Sequence, residues 1–197
     1  MLLIFKIYLL YGLAFFAIFF AILFRNLKKS RIAIASALPT LALFGLIHGF
    51  HEWSELYLVL YEHDFPLTRD LQTFMVLKLW VSYIALGAFA WKMLDLARWR
   101  YTRVLKGCTL AVVTLFVFSL FYRYGQNEFS VYLNNTANQI RWVFGLGAGA
   151  LSGFAMMSYA NVLEKEGHGA SLPFKLTGLA LILSLIHISE PTRQLQI

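Results

Sequence analysis

The chain has 197 residues, of which 59% are hydrophobic and only 14% charged, and its formal net charge is +7. So little charge spread over long apolar runs excludes an ordinary soluble domain and predicts a membrane protein. The excess of basic residues lies in short segments between the apolar runs, which indicates membrane topology and lipid contact and argues against a nucleic-acid partner.

The apolar runs predict an all-α fold, a polytopic transmembrane helix bundle with five full spans plus a truncated sixth. In chain order the spans cover about residues 2–24, 32–61, 71–94, 104–122, 139–162 and, for the sixth, 172–182 and onward. Each full span can cross the roughly 30 Å of hydrocarbon in a bilayer. The first run is too long and uninterrupted for a signal peptide, and Pro39 is a predicted kink site in the second. Residues 1–182 are thus expected to form one membrane-embedded helical module.

The loops predict an orientation for these spans. The loops after the first and third spans hold most of the basic residues: Arg25, Lys28, Lys29, Arg31, Lys92, Arg98, Arg100, Arg103 and Lys106. The positive-inside rule then places both loops in the cytoplasm and the N-terminus outside.

Ionisable residues gather in the half of the predicted bundle that faces outside. The second span carries four of them on one helical face, and three more come from the third, fourth and fifth spans. The set is His48, His51, Glu52, Glu55, Lys78, Arg123 and Arg141. Ionisable groups at membrane depth are costly, so they face the bundle interior, pair with each other or serve a function. A sensing site and a set of interhelical ion pairs that fix packing both remain open, with Lys78 as the expected counter-charge for Glu52 or Glu55.

Metal and haem chemistry find weak support in the sequence. His48 and His51 are spaced to place two imidazoles on one metal, with Glu52 as an oxygen ligand, but this short spacing alone is a poor signal. Haem held by two histidines needs partners on facing helices, and His63 and His168 look like loop residues. We therefore predict no cofactor, and no catalytic residue within this chain. Gly145, Gly147, Gly149 and Gly153 predict a close helix-packing face.

The C-terminal segment has a different character. Residues Leu183 to Arg193 resemble the conceptual translation of a transposase-type sequencing adapter and match it at every position in one reading frame. We therefore expect residues 183–197 to be adapter-derived, the natural sequence to end near Ile182, and the parent protein to continue beyond it. The apolar residues Leu183 to Ile188 are expected to lengthen the sixth helix, which Pro191 should end by about Ser189.

One region resembles a known group of proteins. An FGLxHGxxEW-like run is matched at Phe44, Gly45, Leu46, His48, Gly49, Glu52 and Trp53. Together with Tyr11–Phe16, the basic loop and Ser36–Pro39, it resembles the N-terminal membrane region of bacterial sensor proteins, mainly over residues 8–60. In those proteins a multi-helix module precedes a cytoplasmic PAS, histidine-kinase or diguanylate-cyclase domain.

The resemblance implies the sensory input region of a bacterial signal-transduction protein in the inner membrane, with its cytoplasmic output domain missing. The implied parent is a histidine kinase or diguanylate cyclase, with membrane lipids as partners and a homodimer formed through the parent kinase. It assigns no ligand to any residue. The residues themselves leave a second interpretation open, a small membrane transporter or a redox or metal-binding protein that uses His48, His51 and Glu52.

Overall fold

The computed structural model describes residues 2–25, 33–61, 68–167 and 171–188. Over these ranges the chain forms helices joined by turns, with no strand among them. The helices are α1 (Leu2–Leu23), a 3-10 helix (Ala33–Ser36), α2 (Leu38–Leu60), α3 (Arg69–Leu96), α4 (Thr102–Arg123), α5 (Phe129–Gln139), a π-helical segment (Ile140–Gly145), α6 (Leu146–Lys165) and α7 (Ser171–Ile188). The predicted all-α class is therefore confirmed.

Four of the described segments are long and apolar enough to cross a membrane: Phe5–Leu23, Arg69–Leu96, Thr102–Arg123 and Phe129–Lys165. α2 has 23 residues but is not among these four, and it carries the ionisable residues His48, His51, Glu52 and Glu55. The apolar part of α7, Ser171–Leu183, is shorter. Helical segments compatible with a membrane protein are thus present, while the count of five full spans and a sixth stays a prediction.

Two predictions about the helices were wrong, namely a kink at Pro39 and a fifth helix that begins near Gln139. Pro39 lies in the first turn of α2, where its missing N–H breaks no helical hydrogen bond, so it starts this helix and does not kink it. The fifth helical segment begins at Phe129 and not near Gln139. Its first turns are rich in Asn and Gln, so hydropathy excluded them, yet Leu133 and Thr136 are buried and α5 packs against α3.

α3 is the central helix of the bundle. It packs against α2, α5 and α6, while α1 packs on α2 and α7 packs on α6. Leu79, Phe89, Met93 and Leu94 of α3 are almost completely buried. α4 lies at the periphery, where only Thr102 and Phe116 are buried among its residues.

The glycines of α6 differ in their surroundings. A Cβ atom at Gly153 would lie 2.6 Å from the carbonyl oxygen of Gly178 in α7, so this glycine permits close contact between the two helices. Nothing lies within 4 Å of the same position at Gly147. The predicted packing face is therefore confirmed at Gly153 and wrong at Gly147.

Several sequence-based expectations concern residues outside the described ranges. They include Lys28, Lys29 and Arg31 of the first loop, the histidines His63 and His168, and the tail from Ser189 to Ile197. α7 does extend over Leu183 to Ile188, as their apolar character predicts.

Candidate functional site

The four ionisable residues of α2 lie inside the bundle. His48, His51, Glu52 and Glu55 are 5%, 3%, 3% and 4% exposed, and they follow one helical face at intervals of three or four residues. The expectation that Glu52 and Glu55 face the bundle and not lipid is therefore confirmed.

Glu55 is the centre of this cluster. Its Oε1 atom accepts a hydrogen bond of 2.7 Å from Nη2 of Arg141, 86 residues away in the sequence. Nε2 of His51 lies 3.0 Å from the same oxygen, although it is not aligned for a hydrogen bond. One carboxylate oxygen thus faces both a guanidinium group and an imidazole, and the expected contact of a glutamate with Arg141 is confirmed.

Arg141 lies in the π-helical segment between α5 and α6. A π-helical turn changes the direction in which side chains leave the helix and occurs often at functional sites. The neighbouring Ile140 and Phe144 are buried in the core, whereas the Arg141 side chain keeps 20% exposure. The π-helical segment therefore anchors in the core while its arginine reaches across to α2.

His48 occupies the other end of the cluster, where it contacts Ser82 and Glu52. Its Nδ1 atom lies 3.0 Å from Oγ of Ser82, and that hydroxyl donates its hydrogen to the carbonyl oxygen of Leu79 at 2.7 Å. Nε2 faces Oε1 of Glu52 at 3.4 Å, so the imidazole lies between a hydroxyl and a carboxylate.

Aromatic rings enclose His48. The ring centroids of Phe15, Phe44 and Tyr83 lie 4.5, 5.1 and 5.4 Å from that of the imidazole. These rings exclude water and lower the local dielectric constant, which strengthens the electrostatic interactions within the cluster.

Lys78 interacts with Glu55 only through the longer-range attraction of their charges, because its ammonium group bonds to other atoms of α2. Its Nζ atom donates to Oγ of Ser54 at 2.6 Å and to the carbonyl oxygen of Phe50 at 3.3 Å. Ser54 and Glu55 point about 100° apart around α2, and α3 brings Lys78 to the Ser54 side.

Arg123 also lies away from the cluster. Its guanidinium group donates to Oε1 of Gln139 at 2.6 Å and to the carbonyl oxygen of Ser119 at 3.2 Å. It therefore connects the end of α4 to the end of α5. The structure brings together His48, His51, Glu52, Glu55 and Arg141, and places Lys78 and Arg123 elsewhere.

Ser82 and Tyr83 both contact His48, but the sequence analysis did not predict them as site residues. Ser82 is completely buried, and it is the one serine of α3. Its position one turn after Lys78, on a helix expected to face the cluster, was the available signal.

The metal-binding alternative would need further ligands close to His48, His51 and Glu52. Within the described ranges, no three His, Cys, Asp or Glu residues come together in a way that could hold a metal ion. The rings of His48 and His51 have centroids 5.9 Å apart and tilt relative to each other.

Comparisons of the chain with protein-family models, curated proteins and solved structures gave no match. Functional inference therefore depends on the geometry of the site.

Proposed function

We propose that the chain is the membrane-embedded sensory input region of a bacterial signal-transduction protein, with a histidine kinase as its parent. The proposal includes an inner-membrane location with the N-terminus outside. The observation that carries it is the buried ion pair between Glu55 of α2 and Arg141 of the π-helical segment. Four apolar helices of spanning length support the membrane location.

A buried ion pair is better suited to a conformational switch than to a purely structural role. Well-packed apolar side chains stabilise an interior at least as well as a buried ion pair, which must offset the desolvation of both charges. The pair is, however, sensitive to any proton or ligand that reaches Glu55 or His51. Such a change would weaken the ion pair between Glu55 and Arg141. It would therefore alter the contact between α2 and the π-helical segment.

The packing of α6 offers a route from this pair to the C-terminal helix. A π-helical turn that gains or loses its extra residue changes the rotation and height of the helix that follows it. α6 follows directly, and its Gly153 contacts Gly178 of α7. In this mechanism a signal selects between two packings of α6, whose C-terminal end lies on the cytoplasmic side, and α7, which packs on α6, passes the difference to the part of the parent protein that follows.

The experiment joins residues 1–182, followed by one added spanning helix, to an autophosphorylating kinase core in membrane vesicles, so that the kinase lies on the cytoplasmic side of the proposed orientation. Glu55→Gln and Arg141→Gln remove one charge each from the buried pair. Asp95→Asn and Lys106→Gln are matched controls, because this pair has the same 2.7 Å separation but exposed side chains. We expect the buried-pair variants to change basal autophosphorylation about fivefold or more, within the usual range of coupling energies, and the controls to leave it unchanged. Unchanged kinase activity in all four variants, with lower stability in the first two, would mean a structural role.

A second function, proton transfer by a small transporter, draws on the hydrogen-bond chain at His48. The hydroxyl of Ser82, the imidazole of His48 and the carboxylate of Glu52 follow one another at 3.0 and 3.4 Å, which is the arrangement that stepwise proton transfer needs. Proton flux in liposomes that hold the purified chain, abolished by Glu52→Gln, would favour this alternative over a sensory role. A metal or haem absorbance of the purified protein would favour the redox alternative.

A further inference from the structure

The turn that joins α3 to α4 holds a polar cavity of about 380 Å³. Three arginines line it, Arg98, Arg100 and Arg103, and all three are exposed. The rest of its lining consists of Asp95, Trp99 and Thr102. This cavity, the arginine cavity, lies apart from the cluster around Glu55 and takes no part in the proposed sensory mechanism.

The arginine cavity carries an excess of positive charge. Its one acidic residue, Asp95, already forms an ion pair of 2.7 Å with Nζ of Lys106. Among the residues that the structure describes, no carboxylate forms an ion pair with Arg98, Arg100 or Arg103. A guanidinium group binds phosphate oxygens through two parallel hydrogen bonds, so three of them around one cavity favour a phosphate group as the ligand.

Two of these arginines occupy positions where other residues would suit the chain better. Arg98 follows the last turn of α3 with a φ of 51°, in the left-handed region that glycine adopts most easily. Arg103 lies in the first turn of α4, where the helix dipole disfavours a positive charge and where no acidic residue compensates it. An anion bound between Arg98 and Arg103 would compensate both charges.

The surroundings of the cavity favour a lipid as the source of that phosphate. α4 begins at the cavity, and nearly all of its side chains are unburied. Val104 and Leu110 are 63% and 66% exposed, so in a membrane hydrocarbon would cover this helix. Trp99 and Tyr101, whose ring centroids lie 5.7 Å apart, are of the amphipathic kind that gathers at the membrane–water interface. A phospholipid with its headgroup in the cavity would therefore lay its acyl chains along α4.

We propose that the arginine cavity binds the phosphate group of an anionic phospholipid, with Arg98, Arg100 and Arg103 as its hydrogen-bond donors and α4 as the surface for its acyl chains. The excess of positive charge selects a headgroup of net negative charge, that of the phosphatidylglycerol class, against zwitterionic phosphatidylcholine. This binding site goes beyond the proposed sensory function, and it requires only that the chain lies in a membrane.

The test measures lipid binding to the full chain, purified in a mild uncharged detergent. Native mass spectrometry follows a titration with phosphatidylglycerol and a second one with phosphatidylcholine of the same acyl chains. We expect phosphatidylglycerol to bind about tenfold more tightly, as one additional charge-assisted hydrogen bond predicts. The preference should shrink as the salt concentration rises, because the three arginines are exposed. Equal affinity for the two lipids would refute the proposal.

Two variants locate the binding at the cavity. Arg98→Gly removes a guanidinium group and keeps the turn, since glycine readily adopts positive φ, and Arg103→Gln removes another from α4. Each should lower the affinity for phosphatidylglycerol about tenfold. Arg103→Lys should restore part of the loss, because lysine keeps the charge without the paired hydrogen bonds. Undiminished binding in both Arg98→Gly and Arg103→Gln would contradict the assignment.

Lys165→Gln is the matched control, since it removes the same charge from the last turn of α6, outside the cavity lining. An equal loss of affinity in this variant would mean that net charge alone attracts the lipid, and the cavity would not be the site. Inorganic phosphate, added at constant ionic strength, should leave phosphatidylglycerol bound. Displacement of the lipid by inorganic phosphate would show that the cavity takes a soluble anion and would overturn the lipid assignment. Thermal unfolding of each variant checks that the fold is kept.

Discussion

The pairing of Glu55 with Arg141 makes a quantitative prediction for a double-mutant cycle. Glu55→Gln keeps the shape of the side chain and a neutral acceptor but removes the charge that faces Arg141 at 2.7 Å. We expect the free energy of unfolding to fall by about 2–3 kcal/mol, the scale of a charge-assisted hydrogen bond. The loss stays below that of a fully buried ion because the Arg141 side chain keeps 20% exposure and can reach water.

Arg141→Gln should cost more than Glu55→Gln. It leaves the carboxylate of Glu55, whose side chain is only 5% exposed, without its guanidinium partner. Removing one member of a buried pair costs about 3–5 kcal/mol for this reason. The double variant Glu55→Gln/Arg141→Gln should recover part of the sum, because neither charge is then left uncompensated.

The assay is equilibrium unfolding of the purified chain in mild detergent, followed by helical circular dichroism, with Asp95→Asn as the exposed control. An exposed ion pair contributes about 0.2–1 kcal/mol at most, so this control should hardly change stability. If the two single changes instead add to within about 0.5 kcal/mol in the double variant, Glu55 and Arg141 are not coupled and the argument fails.

Two further predictions concern helix packing and topology. Gly153→Ala should lower stability by about 1–3 kcal/mol in the same unfolding assay, because its Cβ would meet Gly178, whereas Gly147→Ala on the same helix should be neutral or stabilising. Reporter fusions after Lys28 and Arg100 should report the cytoplasm and fusions after Pro66 and Gln126 the outside, because basic residues concentrate in the first and third loops. The reverse pattern would refute the orientation.

Local sequence was enough to predict the helices and the direction in which the polar face of α2 points. The apolar runs predicted α3 and α4 to within about two residues, since length and hydropathy decide where such helices lie. The spacing of His48, His51, Glu52 and Glu55 placed them on one face, and the predicted cost of charge at membrane depth indicated that this face points inward, where the structure buries all four. Both results follow from properties of one helix at a time.

The tertiary structure decided which residues meet. Lys78 and Arg141 were both cations at a suitable depth, and only the rotation of α3 and the π-helical turn sent Arg141 to Glu55 and Lys78 to Ser54. The same rotation brought the hydroxyl of Ser82 to His48. Rotation of one helix against another depends on packing over the whole interface, to which each residue contributes little, so a single sequence does not reveal it.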